Sequence, residues 1–340
     1  MIRHVYLSLL ILLCSACSSI LTHEVGNRKT SAVEVKVGVL GDTHGQKNAL
    51  LSALRRMKSE GVSELIVLGD IVPWNLKSPH LLRPILEMIQ NEIGLDSKHI
   101  HFAIGNAEED VLAEWLPKIR KMKAENVTEE QLLRAVEAGK LDYDEMREKF
   151  FNKIPFEQTE AYQMFQEFGD VQNPGPNGYA FIKVENKTIA YSHYNMRPVP
   201  ESMLQPTDAV VTRIDPKTGK EVEEIVNFRN PHTVQKNRIS APYPKNADLA
   251  FYGDIHIGGL YFDIDAKKAI VNAGVLNQRF KDASEPQAFS IYNVTKNELQ
   301  FWNSKSDELI STFNLEELTK SAKKANAQMI FKLATLCGPK

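Results

Sequence analysis

Seven side chains with metal-ligating chemistry follow five short apolar runs in this chain. Asp42 and His44 follow VGVLG, Asp70 follows ELIVLG, Asn106 follows HIHFAIG, His193 follows TIAYS, and Asp254 and His256 follow LAFYG. Carboxylate, amide oxygen and imidazole together suit Mn, Fe, Zn or Ni. A lone Gly-Asp is ordinarily a turn, and a lone histidine is ordinarily structural. Five strand tips with N/O donors, four of them behind a glycine, make that reading much weaker. Two divalent ions ~3.5–4 Å apart need about this many ligands, with one carboxylate shared between them.

Such groups act together only if the fold delivers them to one edge. Val37–Leu40 reads as a buried strand, and Asn48 as the N-cap of a helix over Ala49–Glu60 that Gly61 ends. Glu64–Leu68 is a second strand. Ser78-Pro79 opens a helix to about Ile93 with Pro84 inside it, and His99–Ile104 is a third strand. This alternation predicts an α/β fold with parallel strands, whose carboxyl ends form the ligand-binding edge. Glu108–Phe168 has helical periodicity and no strand signal, so it reads as inserted helices. They serve either as a substrate cap beside the metal edge or as a solvated decoration. Past a turn cluster at Pro174–Gly178 the chain is β-rich. Hairpins are expected from Tyr179–Val184 with Thr188–Ser192 and from Ala209–Ile214 with Glu221–Val226. Short strands follow at Leu249–Tyr252, Leu260–Ile264, Ala269–Val271, Ala288–Asn293, Leu299–Asn303 and Leu309–Phe313, then an amphipathic helix over Leu315–Leu336.

Composition narrows the function classes. With 340 residues, 43% hydrophobic, 25% charged and a net charge of −2, the chain reads as a globular protein with a large core. No basic stripe with interleaved aromatics is present, so no nucleic-acid partner is expected. Cys14, Cys17 and Cys337 are the three cysteines, too few and too scattered for a disulfide framework or a sulfur-rich metal site. Residues 1–16 read as a signal peptide, with a nine-residue apolar core at Val5–Leu13. Small residues before Cys17 resemble the bacterial lipoprotein cleavage motif, although Cys14 stands where that motif prefers leucine. The resemblance implies a lipid anchor on Cys17, residues 17–35 as a tether, and an outer-membrane lipoprotein of the cell envelope. The alternative is a simple secretory signal cut near Ala16, giving a periplasmic or secreted protein. Retention of a palmitate label at Cys17 distinguishes the two.

The ordered motifs resemble those of the calcineurin-like metallophosphoesterase superfamily, which run approximately GDxHG, GDxxD, GNHD/E, GH and GHxH. Here they are Gly41-Asp42-Thr43-His44-Gly45, Gly69-Asp70, Gly105-Asn106-Ala107-Glu108, Ser192-His193 and Gly253-Asp254-Ile255-His256. Asn272-Ala273-Gly274-Val275 is similar to a turn that follows the last motif in the small bacterial branch. The resemblance implies a sandwich of two mixed β-sheets flanked by helices. The resemblance covers about Val37 to Val294, and the metallophosphoesterase domain is read as 36–313, with a helical insert at about 108–170 and a β-hairpin insert at about 195–247. A C-terminal helix at 314–340 follows. It implies two divalent metal ions, Mn or Fe foremost and Zn or Ni as options. Asp42, His44 and His256 would hold the first ion, Asp70 would bridge, and Asn106, His193 and Asp254 would hold the second. Asp70, Asn106 and His193 would be the catalytic residues, and a metal-bridging hydroxide would attack phosphorus in line.

Three positions depart from the pattern. Pro73 replaces the last Asp of the second motif, and Ala107 stands where many members carry a proton-donating His. That role could pass to Glu108, Glu109 or a residue of the helical insert. Asp254 stands in place of a His, and a carboxylate there favours harder ions such as Mn or Fe. The leading reading is a dinuclear metal-dependent phosphoesterase acting on a phosphorylated small molecule, with Arg197, Arg213 and Arg279 as phosphate clamps. The rival is a catalytically weak or inactive binding protein at the cell envelope. The retromer subunit of this superfamily shows that the scaffold can serve as an interaction platform.

Overall fold

The computed structural model describes residues 33–142, 145–146, 149, 154–174, 178–193, 208–214, 221–227, 244–254, 259–263, 268–274, 276, 287–325 and 329–332. Residues 1–32 with Cys17, most of 195–247 with Arg197, and His256 and Arg279 lie outside them. The chain divides at Glu34/Val35, and everything below belongs to the unit that begins at Val35.

Strand β1 (Lys36–Leu40) leads to helix α1 (Lys47–Ser59), strand β2 (Glu64–Val67), helix α2 (Arg83–Ile93) and strand β3 (Ile100–Ala103). These strands pair in parallel, with Val39 opposite Ile66 and Ile66 opposite His101. Asn48 does not cap α1. The helix starts at Lys47, two residues before the expected Ala49, where the Leu50 N–H donates to the Gln46 carbonyl, and Asn48 falls in the first turn. Gly61 takes φ +74° just past the helix end, as expected of a terminating glycine. Pro84 sits in the first turn of α2, where its missing N–H has no intrahelical partner to lose.

The stretch read as an insert is less separate than its composition implied. From Asn106 a short α-turn runs into a π-helical segment, Glu109–Trp115, then α3 (Leu116–Ala124) and α4 (Glu129–Glu137). Helix α5 (Glu160–Phe168) returns the chain to a strand that periodicity did not reveal, β4 (Asp170–Gln172), which pairs parallel with β3. Val111, Leu112 and Leu116 at one end, and Phe156, Ala161, Phe165 and Phe168 at the other, belong to the main core with Leu86, Ile89 and Phe102. Among the described residues, Met122, Leu132 and Met146 form a small cluster of their own, and only this middle packs apart from the main core.

Strands β5 (Ala180–Val184) and β6 (Lys187–Ser192) form the first expected hairpin. Strands β7 (Asp208–Ile214) and β8 (Glu221–Asn227) form the second, a two-stranded sheet of its own. Then come β9 (Leu249–Tyr252), β10 (Gly259–Asp263), β11 (Lys268–Asn272), β12 (Ala288–Asn293), β13 (Glu298–Asn303) and β14 (Glu308–Asn314). The terminal helix α6 (Leu315–Ala325) is shorter than expected, because β-prone Ile330 and Phe331 lie in β15 (Met329–Lys332) instead. That strand covers the edge of β10, pairing backbone groups that would otherwise be open.

One sheet runs β14-β13-β12-β1-β2-β3-β4 and the other β15-β10-β11-β9-β6-β5. Alternation along the strands explains the layers. Leu40, Leu65, Val67, Ile100 and Phe102 face α1, α2 and α5, while Val37, Val39, Ile66, Leu68 and Ala103 face the second sheet. Central strands buried on both faces read as continuous apolar runs, which is how they looked in sequence.

Candidate active site

The parallel strands β1, β2 and β3 end side by side, and the tips of β1 and β2 are tied backbone to backbone. Asp42 N–H donates to the Gly69 carbonyl at 3.0 Å, His44 N–H to the Asp70 carbonyl at 2.7 Å, and Gly45 N–H to the Ile71 carbonyl at 3.0 Å. The tips of β6 and β9 come from the second sheet and meet them, with Gly253 N–H on the His193 carbonyl at 3.3 Å. Asp42, His44, Asp70 and Asp254 all adopt positive φ, between 42° and 67°. A non-glycine residue leaves the extended conformation in this way only where its surroundings hold it, and such residues concentrate at functional sites.

Six of the seven candidate ligands converge, and the seventh, His256, lies outside the described residues. Asp42, Asp70 and His193 each offer a ligand atom within 4.8 Å of the others. Asp70 is central: Oδ2 lies 3.4 Å from His44 Nε2 and Oδ1 lies 3.5 Å from His193 Nε2. His193 Nε2 is also 3.1 Å from Asn106 Oδ1 and 4.0 Å from Asp254 Oδ1. Asp254 N–H is shared by both carboxylate oxygens of Asp42 at 3.2 Å.

The ring of His193 is oriented from behind. Its Nδ1 is 2.6 Å from the Leu68 carbonyl, which accepts only if Nδ1 carries the proton. That tautomer turns the Nε2 lone pair toward Asn106 Oδ1 and Asp70 Oδ1. Three lone-pair atoms facing one another repel unless a proton or a cation lies among them. Burial pushes the Asp70 carboxyl up to about 7, and Glu108 and Asp42 add to the rise while His193 and the Ala107 N–H oppose it. Burial works against a charged His193, yet Asp70, Asp42, Glu108 and the Leu68 carbonyl together raise its pKa. A divalent cation relieves this crowding, and a buried set of carboxylates, amide oxygen and imidazoles fits one.

Two residues have roles that motif reading did not supply. Glu108 is a scaffold group and no substitute acid for Ala107. Its carboxylate is fully buried and accepts the N–H groups of Asp70 (2.7 Å), Ile71 (2.8 Å), Val72 (3.0 Å) and Gly105 (2.9 Å). Ala107 is itself buried, and its N–H donates to Asp70 Oδ1 at 2.7 Å. Asn272 is buried at the end of β11, donates to the Gly253 carbonyl at 3.2 Å and accepts from Gly274 N–H at 3.0 Å. It therefore pins the loop that carries Asp254. The NAGV turn was the available signal for Asn272, and the acidic last position of the third motif marked Glu108 without revealing its backbone partners. Trp74, two residues past Val72, stacks against His44 with ring centroids 6.0 Å apart.

No curated protein sequence matches the chain. Among solved structures it is similar to Yfce, a phosphoesterase from E. coli, at 10% identity and a TM-score of 0.40, covering 82% of this chain and 99% of that one. A metallophosphoesterase from Sphaerobacter thermophilus is 14% identical with a TM-score of 0.37, covering 86% and 95%. The purple acid phosphatase PPD1 from yellow lupin is 11% identical with a TM-score of 0.35, covering 83% of this chain and 54% of its own. The family profile described as calcineurin-like phosphoesterase matches residues 35–258. With the profile spanning well over half of its length, and with two mixed sheets flanked by helices, the chain belongs to the calcineurin-like phosphoesterases.

Proposed function

We propose that this protein is a phosphoric ester hydrolase that works with two divalent metal ions. The observation that carries this reading is the buried meeting of Asp42, Asp70 and His193 within 4.8 Å, with His44, Asn106 and Asp254 around them. Asp42 and His44, with His256, would hold one ion, and Asn106, His193 and Asp254 the other. Asp70, with His44 on one oxygen and His193 on the other, would bridge. When bound, the metal pair supplies an activated water and neutralises charge on the phosphoryl oxygens. The protein's part is to fix the ligands. Leu68 sets the tautomer of His193, Asp254 N–H orients Asp42, and the Ala107 N–H orients Asp70.

Carboxylates outnumber imidazoles among the six described ligands, which favours Mn or Fe over softer-ligand metals. Alanine at position 107 offers no proton to a leaving group, and general-acid help is ordinarily worth about 10²–10⁴-fold. Esters with acidic leaving alcohols are therefore the favoured substrates. In the test, purified protein is loaded with Mn²⁺ and given p-nitrophenyl phosphate and bis(p-nitrophenyl) phosphate. Hydrolysis of at least one is expected, with Asp70→Asn and His44→Ala each lowering kcat by about 10³-fold or more through loss of metal electrostatics. Full activity in both variants means the site is misassigned. No hydrolysis and no bound metal in the wild type favours the binding-protein reading instead.

A further inference from the structure

We infer that Glu108 is a positioning residue whose carboxylate locks the Asp70 loop to the Asn106 loop and so sets the spacing on which the second metal position depends. The inference rests on the phosphoesterase reading above. Three successive N–H groups, from Asp70, Ile71 and Val72, point at one carboxylate, and Gly105 N–H completes the set. Successive backbone N–H groups of this kind form an anion-binding concavity. Here it is filled from inside the protein, so it does not serve a substrate phosphate.

The geometry shows what the filling achieves. Oε2 accepts from Asp70 and Gly105, which belong to two different strand tips, while Oε1 accepts from Ile71 and Val72. One side chain therefore spans both loops. Asp70 lies on one of them, and Asn106, next to Gly105, lies on the other. With four N–H donors on two oxygens, the carboxylate has no lone pair left for a further proton or a metal ion, so it acts through its neighbours. Gly105 makes the close approach possible, since a Cβ there would come within 2.8 Å of Glu108 Oε2.

Glu108→Gln tests this. It keeps the size of the side chain but turns one acceptor into a donor facing backbone N–H groups. Supporting groups of this kind ordinarily tune metal affinity by about 10–100-fold. A folded Glu108→Gln protein, judged by circular dichroism, is expected to bind the second Mn²⁺ about 10–100-fold more weakly by isothermal titration calorimetry. Its Mn²⁺ paramagnetic resonance spectrum should lose the signature of a coupled pair. If Glu108→Gln does not fold, Glu108→Asp is read in the same way; it keeps the charge but is one methylene too short to reach both loops. Wild-type affinity and a coupled spectrum in the folded variant overturn the inference while leaving the phosphoesterase reading intact. A wild-type protein that binds no divalent metal overturns that reading first, and the inference with it.

Discussion

A Cβ on Gly69 would lie 2.5 Å from the amide nitrogen of Gly105 and 2.8 Å from its Cα, and Gly69 also holds φ +88°. Neither side can yield, because both are backbone at the tips that carry Asp70 and Asn106. Gly69→Ala is therefore expected to destabilise the fold by about 2–4 kcal/mol, combining left-handed strain with overpacking. Urea denaturation measures it, and an unchanged midpoint would mean the two tips separate freely. The same logic applies to the ligands. Asp42, His44, Asp70 and Asp254 hold positive φ because the tip-to-tip hydrogen bonds and the Asn272 clamp on Gly253 leave them no extended alternative. Local conformational energy, about 1–3 kcal/mol per such residue, is thus spent at the atoms that face the metal edge.

The opposite ends of the same strands show how elements are joined away from the site. Glu64 at the start of β2 receives His99 Nδ1 at 2.8 Å and His101 Nε2 at 3.0 Å, which links β2 to β3. Burial alone would raise the Glu64 pKa, but the two histidine contacts outweigh it, and the net shift is downward from 4.5. A depressed folded-state pKa adds stability above the unfolded-state value, and that stability is lost as pH falls through the folded-state value. Glu64→Gln should thus cost about 1.5–3 kcal/mol at pH 7, the worth of hydrogen bonds to a charged group. It should cost progressively less below pH 4.5. Urea midpoints at pH 7 and pH 3 test this, and an equal loss at both would assign the effect to packing. Elements also differ in how legible they were. Strands β1, β2, β3, β6 and β9 were readable because each is an apolar run stopped by a ligand or glycine. Strand β4 was not, since three residues carry no period and its pairing with β3 is a tertiary fact. Six candidate ligands were readable from their tips, whereas Glu108 was visible only as the acidic end of the third motif, because its partners are backbone groups that leave no trace in spacing. The expected helix beyond Ala325 failed for a related reason: residues 329–332 took the period of the sheet edge they cover.

At the scale of the whole molecule, the described core divides unequally. One large cluster packs α1, α2 and α5 against the first sheet, another fills the space between the sheets, and Met122, Leu132 and Met146 stand apart beside α3 and α4. Phe165 belongs to the first cluster, edge-on to Phe102 at 5.2 Å and to Phe156 at 6.0 Å. Truncating it empties a site that cannot collapse, because β3 and α5 are fixed by their neighbours. Phe165→Ala should therefore lower global stability by about 3–5 kcal/mol. Leu132 is almost as buried, but its partners are few and local. Leu132→Ala is expected to leave the global urea midpoint nearly unchanged, while amide exchange across Glu129–Glu137 accelerates through local opening. Equal global losses in the two variants would make the α3–α4 segment part of the same cooperative unit as the sheets. The expected split has a functional consequence. The candidate ligands sit at strand tips of the two sheets, which that split makes the cooperative part of the fold. The α3–α4 segment, joined to Asn106 through the π-helical stretch, packs through its own small cluster outside those sheets.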